Sequence, residues 1–315
     1  MAFATAISSL VAADTLIGLD WGASRVRAFR YDIDGVVTEV RERNCDLLAV
    51  KPSGFESVLT DLTHGWRRGG SPRFMLCGMV GSRQGWAEAQ YVPCPADAGA
   101  LASRLLCLPA AGGYAWIAPG LFCESAVQAD VMRGEETQII GAVAPTWSGL
   151  AVTPGTHSKW SIIDGGRITR FRTWMTGELF ALLKSQSLLG RLMKPGPDDA
   201  DAFALGVLRA IEDHAITALL FSVRAEALLA RIAPTSLASY LSGLLIGAEI
   251  TGGMALSDRA SPLVIIGAPA LTALYATALE LAGRSGAIRI DGAQAAARGL
   301  WRLDQLASAQ IGPAR

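Results

Sequence analysis

Three short loops carry the residues whose types and spacing could do chemistry. The first ends an apolar run in Asp20 and turns through Gly22, Ala23 and Ser24. Its backbone amides suit phosphate oxygens, and Asp20 suits magnesium held through the ion's own waters. The second, TPGTHSKW, offers the amides of Gly155 and Thr156, the hydroxyls of Thr156 and Ser158, the imidazole of His157 and the ammonium of Lys159. It could hold the far side of the same polyphosphate. The third, Leu263 to Ile266 followed by Gly267 and Ala268, would let a base and ribose lie against exposed backbone where a side chain would clash. Each alone is an ordinary glycine turn. Together, and in this order, they outline an ATP site. The rival nucleotide motifs are missing: none of the four lysines follows a glycine, so there is no G-x-x-x-x-G-K-[ST], and no G-x-G-x-x-G follows a strand.

Two further constellations lie between the loops. GMVGSRQGW places Arg83 and Gln84 in a glycine-flanked loop ahead of Trp86. An arginine there suits capture of a substrate carboxylate, with Gln84 and Trp86 shaping the pocket. DVMRGEETQ packs Asp130, Arg133, Glu135 and Glu136 at what reads as a helix start, and Arg133 is a second donor for the carboxylate. A hydroxyl that attacks ATP needs a carboxylate to accept its proton. Asp130 and Glu135 are the two candidates, and His157 could serve instead.

These loops need a sheet to hold them, and the chain supplies its pattern twice. TLIGLDWGASRVRAFRYDIDGVVTEV and SGLAVTPGTHSKWSIIDGGRITRFRTW each read strand, tight loop, strand, turn, strand. Between the copies, an amphipathic stretch from Phe55 to Trp66 and buried-looking strands at Phe74–Met79 and Ala115–Ala118 give the rhythm of an α/β sheet. Beyond Met175 the pattern is helical through Glu178–Leu192, Ala200–Ala230 and Leu237–Met254. A strand at Leu263–Gly267 follows, then helices at Ala270–Ala282 and Gly292–Ala309. The expected organisation is α/β, two duplicated domains with an ATP cleft between them. Residues 1–148 form the first domain, 290–315 return to it as a helix, and 149–289 form the second.

Composition narrows the function classes. The chain has 315 residues, 51% of them hydrophobic, and balances 28 basic against 28 acidic side chains. That gives no electrostatic reason to expect nucleic acid or an anionic membrane as partner, and favours a small-molecule ligand. Homo-oligomerisation is left open. The five cysteines are scattered and never in C-x-x-C pairs, so neither a disulfide framework nor a zinc site is indicated and a reducing, cytoplasmic setting is expected. The apolar stretch Met1 to Ala13 lacks the basic start of a secretion signal, since the first positive side chain is Arg25, and reads as a leader.

The motifs IGLDWGASRVRAF, CGMVGSRQGW with YVPCPA, DVMRGEETQ, TPGTHSKW and TWMTGELF, in that order, resemble the 2-dehydro-3-deoxygalactonokinases from Ile17 to Leu300. The family looks like a branch of the acetate and sugar kinase, heat-shock ATPase and actin superfamily, with ribonuclease-H-like duplicated domains. The resemblance implies ATP- and Mg2+-dependent phosphorylation of the C6 hydroxyl of 2-dehydro-3-deoxy-D-galactonate in galactonate catabolism. It makes IGLDWGAS the first phosphate loop with Asp20 near magnesium, TPGTHSK the second, and LVIIGAP the adenosine motif, with Ala268 where a second glycine is commoner. The carbohydrate-kinase pattern G-D-N-Q-Q looks like Gly134 to Gln138 here, with Glu135 in place of the usual Asp, while Asp130 keeps the residue type in another register. A same-fold kinase for another sugar acid, and a silent nucleotide-dependent regulator, are the alternatives.

Overall fold

The computed structural model describes residues 16–66, 72–125 and 128–311. The leader Met1–Ala13 lies outside the described residues. The chain divides into two compact units.

The first unit holds the described residues up to Trp147, Ile163–Arg170, and those from Asp291 onward. It contains β1 (Leu16–Trp21), β2 (Arg25–Tyr31), β3 (Val37–Asn44), α1 (Phe55–Leu62), β4 (Arg73–Cys77), β5 (Val92–Pro93), α2 (Ala98–Ala102), β6 (Leu106–Ala110), β7 (Gly113–Ile117), β8 (Leu121–Glu124), β9 (Ala129–Met132) and α3 (Glu135–Ala142). Its main sheet runs β3-β2-β1-β4-β7-β6, and β5-β8-β9 make a small second sheet. Strand β1 is parallel to β4, and β4 to β7, so the segments after these three strands all leave the same edge. Carboxyl ends of parallel strands are where such sheets bind ligands. Helix α1 forms because Phe55, Val58, Leu59 and Leu62 recur at i, i+3, i+4 and i+7 and bury one stripe on the sheet. Each such side chain contributes about 1.5–3 kcal/mol when fully buried.

The second unit holds Ser148–Ile162 and Phe171–Ile290. Its elements are β10 (Gly149–Thr153), β11 (Ser158–Asp164) and β12 (Arg167–Trp174), apart from their joining turn Ile163–Arg170, then α4 (Thr176–Gln186), α5 (Ala200–Glu212), α6 (Ile216–Leu228), α7 (Leu237–Met254), β13 (Leu263–Gly267), α8 (Pro269–Leu281) and β14 (Ile288–Asp291), whose last residue falls in the first unit. The sheet order is β12-β11-β10-β13-β14, with β10 parallel to β13. This is the layout of the first sheet again: a central strand, its two following hairpin strands on one side, the next strand of the chain on the other. The helical stretch read as Ala200–Ala230 is two helices, because Asp213 leaves the helix in extended backbone and its carboxylate accepts the Ala215 amide hydrogen. Helix α7 is apolar all round and accordingly buried, with Tyr240, Leu241, Leu244 and Ile250 inside.

The last helix, α9 (Gly292–Ile311), belongs to the first unit and packs on α3, α2, β1 and β4. It is tied there by a buried ion pair, Arg73 Nε to Asp304 Oδ1 at 2.6 Å, and by Tyr31 Oη donating to the Ala297 carbonyl at 2.7 Å. Among the described residues no helix is long and apolar enough to cross a membrane.

Candidate active site

Asp20 is the penultimate residue of β1, partly buried, and its strand neighbours are fixed by register. Arg27 faces it across the antiparallel pair with β2, and Cys77 across the parallel pair with β4. Burial pushes its carboxyl up from the ordinary value and the charge of Glu135 adds to this. Arg27, the Cys77 thiol and the Gln138 side chain pull the other way. Beyond it Gly22 closes the turn, its N–H donating to the Arg25 carbonyl at 2.9 Å.

Two glycines bring the start of α3 to this place. Gly78, just past β4, has φ +91°, and a Cβ there would lie 2.6 Å from the Trp21 carbonyl oxygen. Gly134 has φ +108°, and its Cβ would lie 3.1 Å from the Gly78 Cα. Only glycine holds these conformations without strain. With Gly134 as its cap, α3 starts at Glu135, and its positive dipole end favours the two adjacent acids. Glu135 Oε2 accepts the Arg133 amide hydrogen at 3.0 Å. Glu136 is fully buried; its carboxylate accepts from the Gly134 N–H at 2.7 Å and the Thr137 hydroxyl at 2.9 Å. Burial, with the charge of Glu135 second, pushes its carboxyl up to about 7. Burial and the charges of Asp20 and Glu136 also hold the Cys77 thiol well above its usual range.

Asp20, Glu135 and Glu136 are therefore one electrostatic cluster at the carboxyl end of β1. Of the two sequence candidates for a base, Glu135 is the one whose charge Asp20 feels. Asp130 lies within β9, opposite Cys123, where its Oδ1 accepts the Val131 N–H. The segment read as one helix start is a strand, a glycine turn and then a helix. Among the described residues no group of three or more His, Cys, Asp or Glu is arranged to hold a metal ion unaided.

The remaining residues singled out in this unit divide. Arg83 and Gln84 are exposed; the Arg83 side chain keeps 85% of its surface and its Nε lies 3.4 Å from Glu88 Oε1. Trp86 stacks on Phe55 at 6.2 Å and joins the core. Arg133 is only 8% exposed.

In the second unit the loop after β10 is braced from below. Gly155 N–H donates to Ser158 Oγ at 3.3 Å, Ser158 Oγ lies 2.9 Å from Tyr275 Oη, and Tyr275 Oη donates to Glu249 Oε2 at 2.6 Å. Trp160 Nε1 donates to the other Glu249 oxygen at 2.8 Å. Because Tyr275 spends its hydrogen on Glu249, its oxygen accepts from Ser158, and the Ser158 oxygen is then left to accept from Gly155. Burial raises the Glu249 carboxyl and these donors counter it. Ser158 and Lys159 thus turn inward, the Lys159 ammonium donating to the His157 carbonyl at 2.9 Å. His157 pairs outward with Glu178. Gly267 closes β13 beside this loop, its Cβ position 3.6 Å from the Pro154 carbonyl oxygen, and Ala268 leads into α8. Sequence reasoning missed Cys77, Glu249 and Tyr275, whose partners are set by strand register and helix packing.

Comparison with known proteins gives a consistent result. Residues 20–303 match the family described as 2-keto-3-deoxy-galactonokinase. The 2-dehydro-3-deoxygalactonokinase of Escherichia coli (strain K12) is 38% identical over 267 residues, covering 85% of this chain and 90% of that protein. A crystal structure of a Sinorhizobium meliloti protein assigned as a 2-dehydro-3-deoxygalactonokinase superposes with a TM-score of 0.85 at 35% identity, covering 95% of this chain and 100% of that one. The activator of 2-hydroxyisocaproyl-CoA dehydratase from Clostridium difficile, with bound ADPNP, superposes at TM-score 0.53 and 12% identity over 96% of this chain and 98% of that one. That likeness shows the fold, the one shared by actin-like ATPases and sugar kinases.

Proposed function

Because the chain belongs to the 2-keto-3-deoxy-galactonokinase family, we propose that it transfers the γ-phosphoryl group of ATP to the C6 hydroxyl of 2-dehydro-3-deoxy-D-galactonate, in galactonate catabolism. The observation that carries the reading at the level of chemistry is the close packing of Gly134 on Gly78 and of Gly78 on Trp21, which brings the start of α3 with Glu135 to the end of β1 with Asp20. The five free cysteines fit work in the reducing cytoplasm.

Those two carboxylates also fit magnesium, which binds through one or two acids and substrate phosphates while keeping most of its waters. Asp20 would hold the ion through water. When bound, magnesium neutralises charge on the β- and γ-phosphate oxygens.

The chain's own residues do the rest. The amides of Ala23 and Ser24 are the phosphate donors of the first loop, and those of Thr156 and His157 are the donors of the loop in the second unit; the Gly22 amide is engaged by the Arg25 carbonyl and the Gly155 amide by Ser158, and each shapes its own loop instead. Gly267 and Ala268 leave room for the adenosine. Glu135 accepts the proton of the attacking hydroxyl, so that the alcohol becomes a competent nucleophile as the bond to phosphorus forms. The transfer is direct, with no phosphoenzyme. Replacing Glu135 by Gln tests the assignment: kcat should fall at least a hundredfold with the KM for ATP within threefold, and a kcat within threefold of wild type would refute it.

A further inference from the structure

The Arg133 side chain is buried and, among the described residues, pairs with no acid. One donor is used, Nη2 to the Ala89 carbonyl at 2.7 Å, and the Tyr91 ring covers its face at 4.3 Å. Among the described residues Nε and Nη1 have no hydrogen-bond partner, and the side chain makes no ion pair. A cation taken out of water and left unpaired is costly, and proteins keep one where something else supplies the charge. A second orphan belongs to the segment that follows Gly81. Ser82 is 8% exposed, and its buried hydroxyl also has no partner. Gly81, the chain neighbour of Ser82, packs closely on the arginine: a Cβ there would come 3.0 Å from Arg133 Nη1, and its absence lets the two segments approach. Unsatisfied donors on two separate segments of the chain that meet at this glycine call for an anionic acceptor.

We propose that Arg133 and Ser82 receive the carboxylate of the sugar acid, and that Arg133 sets the enzyme's preference for an acid over a neutral sugar. The inference rests on the kinase reading above and names the part of the site that reading leaves open. The chain geometry suits it. Only Gly134 separates Arg133 from Glu135, yet Glu135 stays at the start of α3 with Asp20 while the Arg133 side chain leaves toward Ala89 and Tyr91. One short segment thus serves both ends of the substrate, the reacting hydroxyl at C6 and the carboxylate at C1. Arg83, exposed and beside Glu88, is not required for this.

An interaction at the non-reacting end is made equally in ground and transition states, so its loss appears in KM and little in kcat. The test compares 2-dehydro-3-deoxy-D-galactonate with its C1 carboxamide, by steady-state kinetics and by calorimetric binding. The wild type should prefer the acid at least tenfold in KM and in Kd. In Arg133→Gln the acid should weaken at least tenfold and the preference should shrink to near one, with the KM for ATP within threefold. Should that variant fail to fold, Ser82→Ala carries the test, with a threefold to tenfold loss for the acid and none for the carboxamide. Equal treatment of acid and carboxamide by the wild type, or a preference surviving in the variant that folds, would overturn the inference. A wild type that binds the acid selectively but releases no ADP would overturn the kinase reading alone.

Discussion

Cys77 stands directly opposite Asp20 in the parallel pairing of β4 with β1, its Sγ 3.8 Å from Asp20 Oδ1. A thiol held well above its ordinary pKa stays protonated, so the carboxylate gains a weak donor and no competing charge. The pairing tunes Asp20 without adding to the cluster of acids around it.

Replacing Cys77 by Val keeps the volume near constant and removes the donor. The Asp20 carboxyl, already raised by burial, should rise further, and the acid limb of the kcat/KM profile should move to higher pH. Cys77→Ser, with a stronger donor, should move it to lower pH. Coincident profiles for both variants would show that Asp20 does not control that limb.

Glu136 gives a stability signature. Its carboxyl is raised from 4.5 to about 7 in the folded state. Between those values the native protein binds more proton than the unfolded chain, so stability falls as pH rises from about 4.5 to about 7 and is flat beyond. Glu136→Gln, which keeps an acceptor for the Gly134 amide, should remove this slope and gain on the order of 2–3 kcal/mol relative to wild type at pH 8. Denaturant unfolding at pH 5 and pH 8 reads it directly.

The network beneath the second loop predicts a split between substrates. Tyr275→Phe leaves Ser158 and Glu249 without their shared partner, at a cost of about 1–3 kcal/mol. The Gly155 loop loses its brace, so the KM for ATP should rise severalfold while that for the sugar acid changes less than twofold. Equal changes in both would mean that the network serves stability alone.

Gly78→Ala should be severe. The alanine Cβ would meet the Trp21 carbonyl oxygen in a left-handed backbone, and about 2 kcal/mol or more of stability should be lost, with activity falling as the start of α3 is displaced from Asp20.

The duplicated framework was legible in the sequence because its signals are local. Asp20 lies one residue from the end of its strand, Gly35 has the positive φ expected at the hairpin turn, and the corresponding strand and turns recur at β10 to β12. The break between α5 and α6 was not legible, since Asp213 and His214 offer no Gly or Pro. The small sheet β5-β8-β9 was hidden by the shortness of its strands. Of the candidate site, the loops were legible and the burial of its side chains was not. Glycines and acids mark Asp20, Gly134 and Glu135, but burial decides the arginines, and spacing carries no burial: Arg83 and Arg133 each lie within two residues of a glycine, yet one is exposed and the other enclosed.

The most direct measurement is ADP release by the purified protein with Mg-ATP and each of 2-dehydro-3-deoxy-D-galactonate, its gluconate epimer, galactonate and common hexoses. Turnover should be confined to the 2-dehydro-3-deoxy acids and fastest with the galactonate form. ATP binding without ADP release in the presence of that acid, or equal turnover with neutral hexoses, would contradict the assignment.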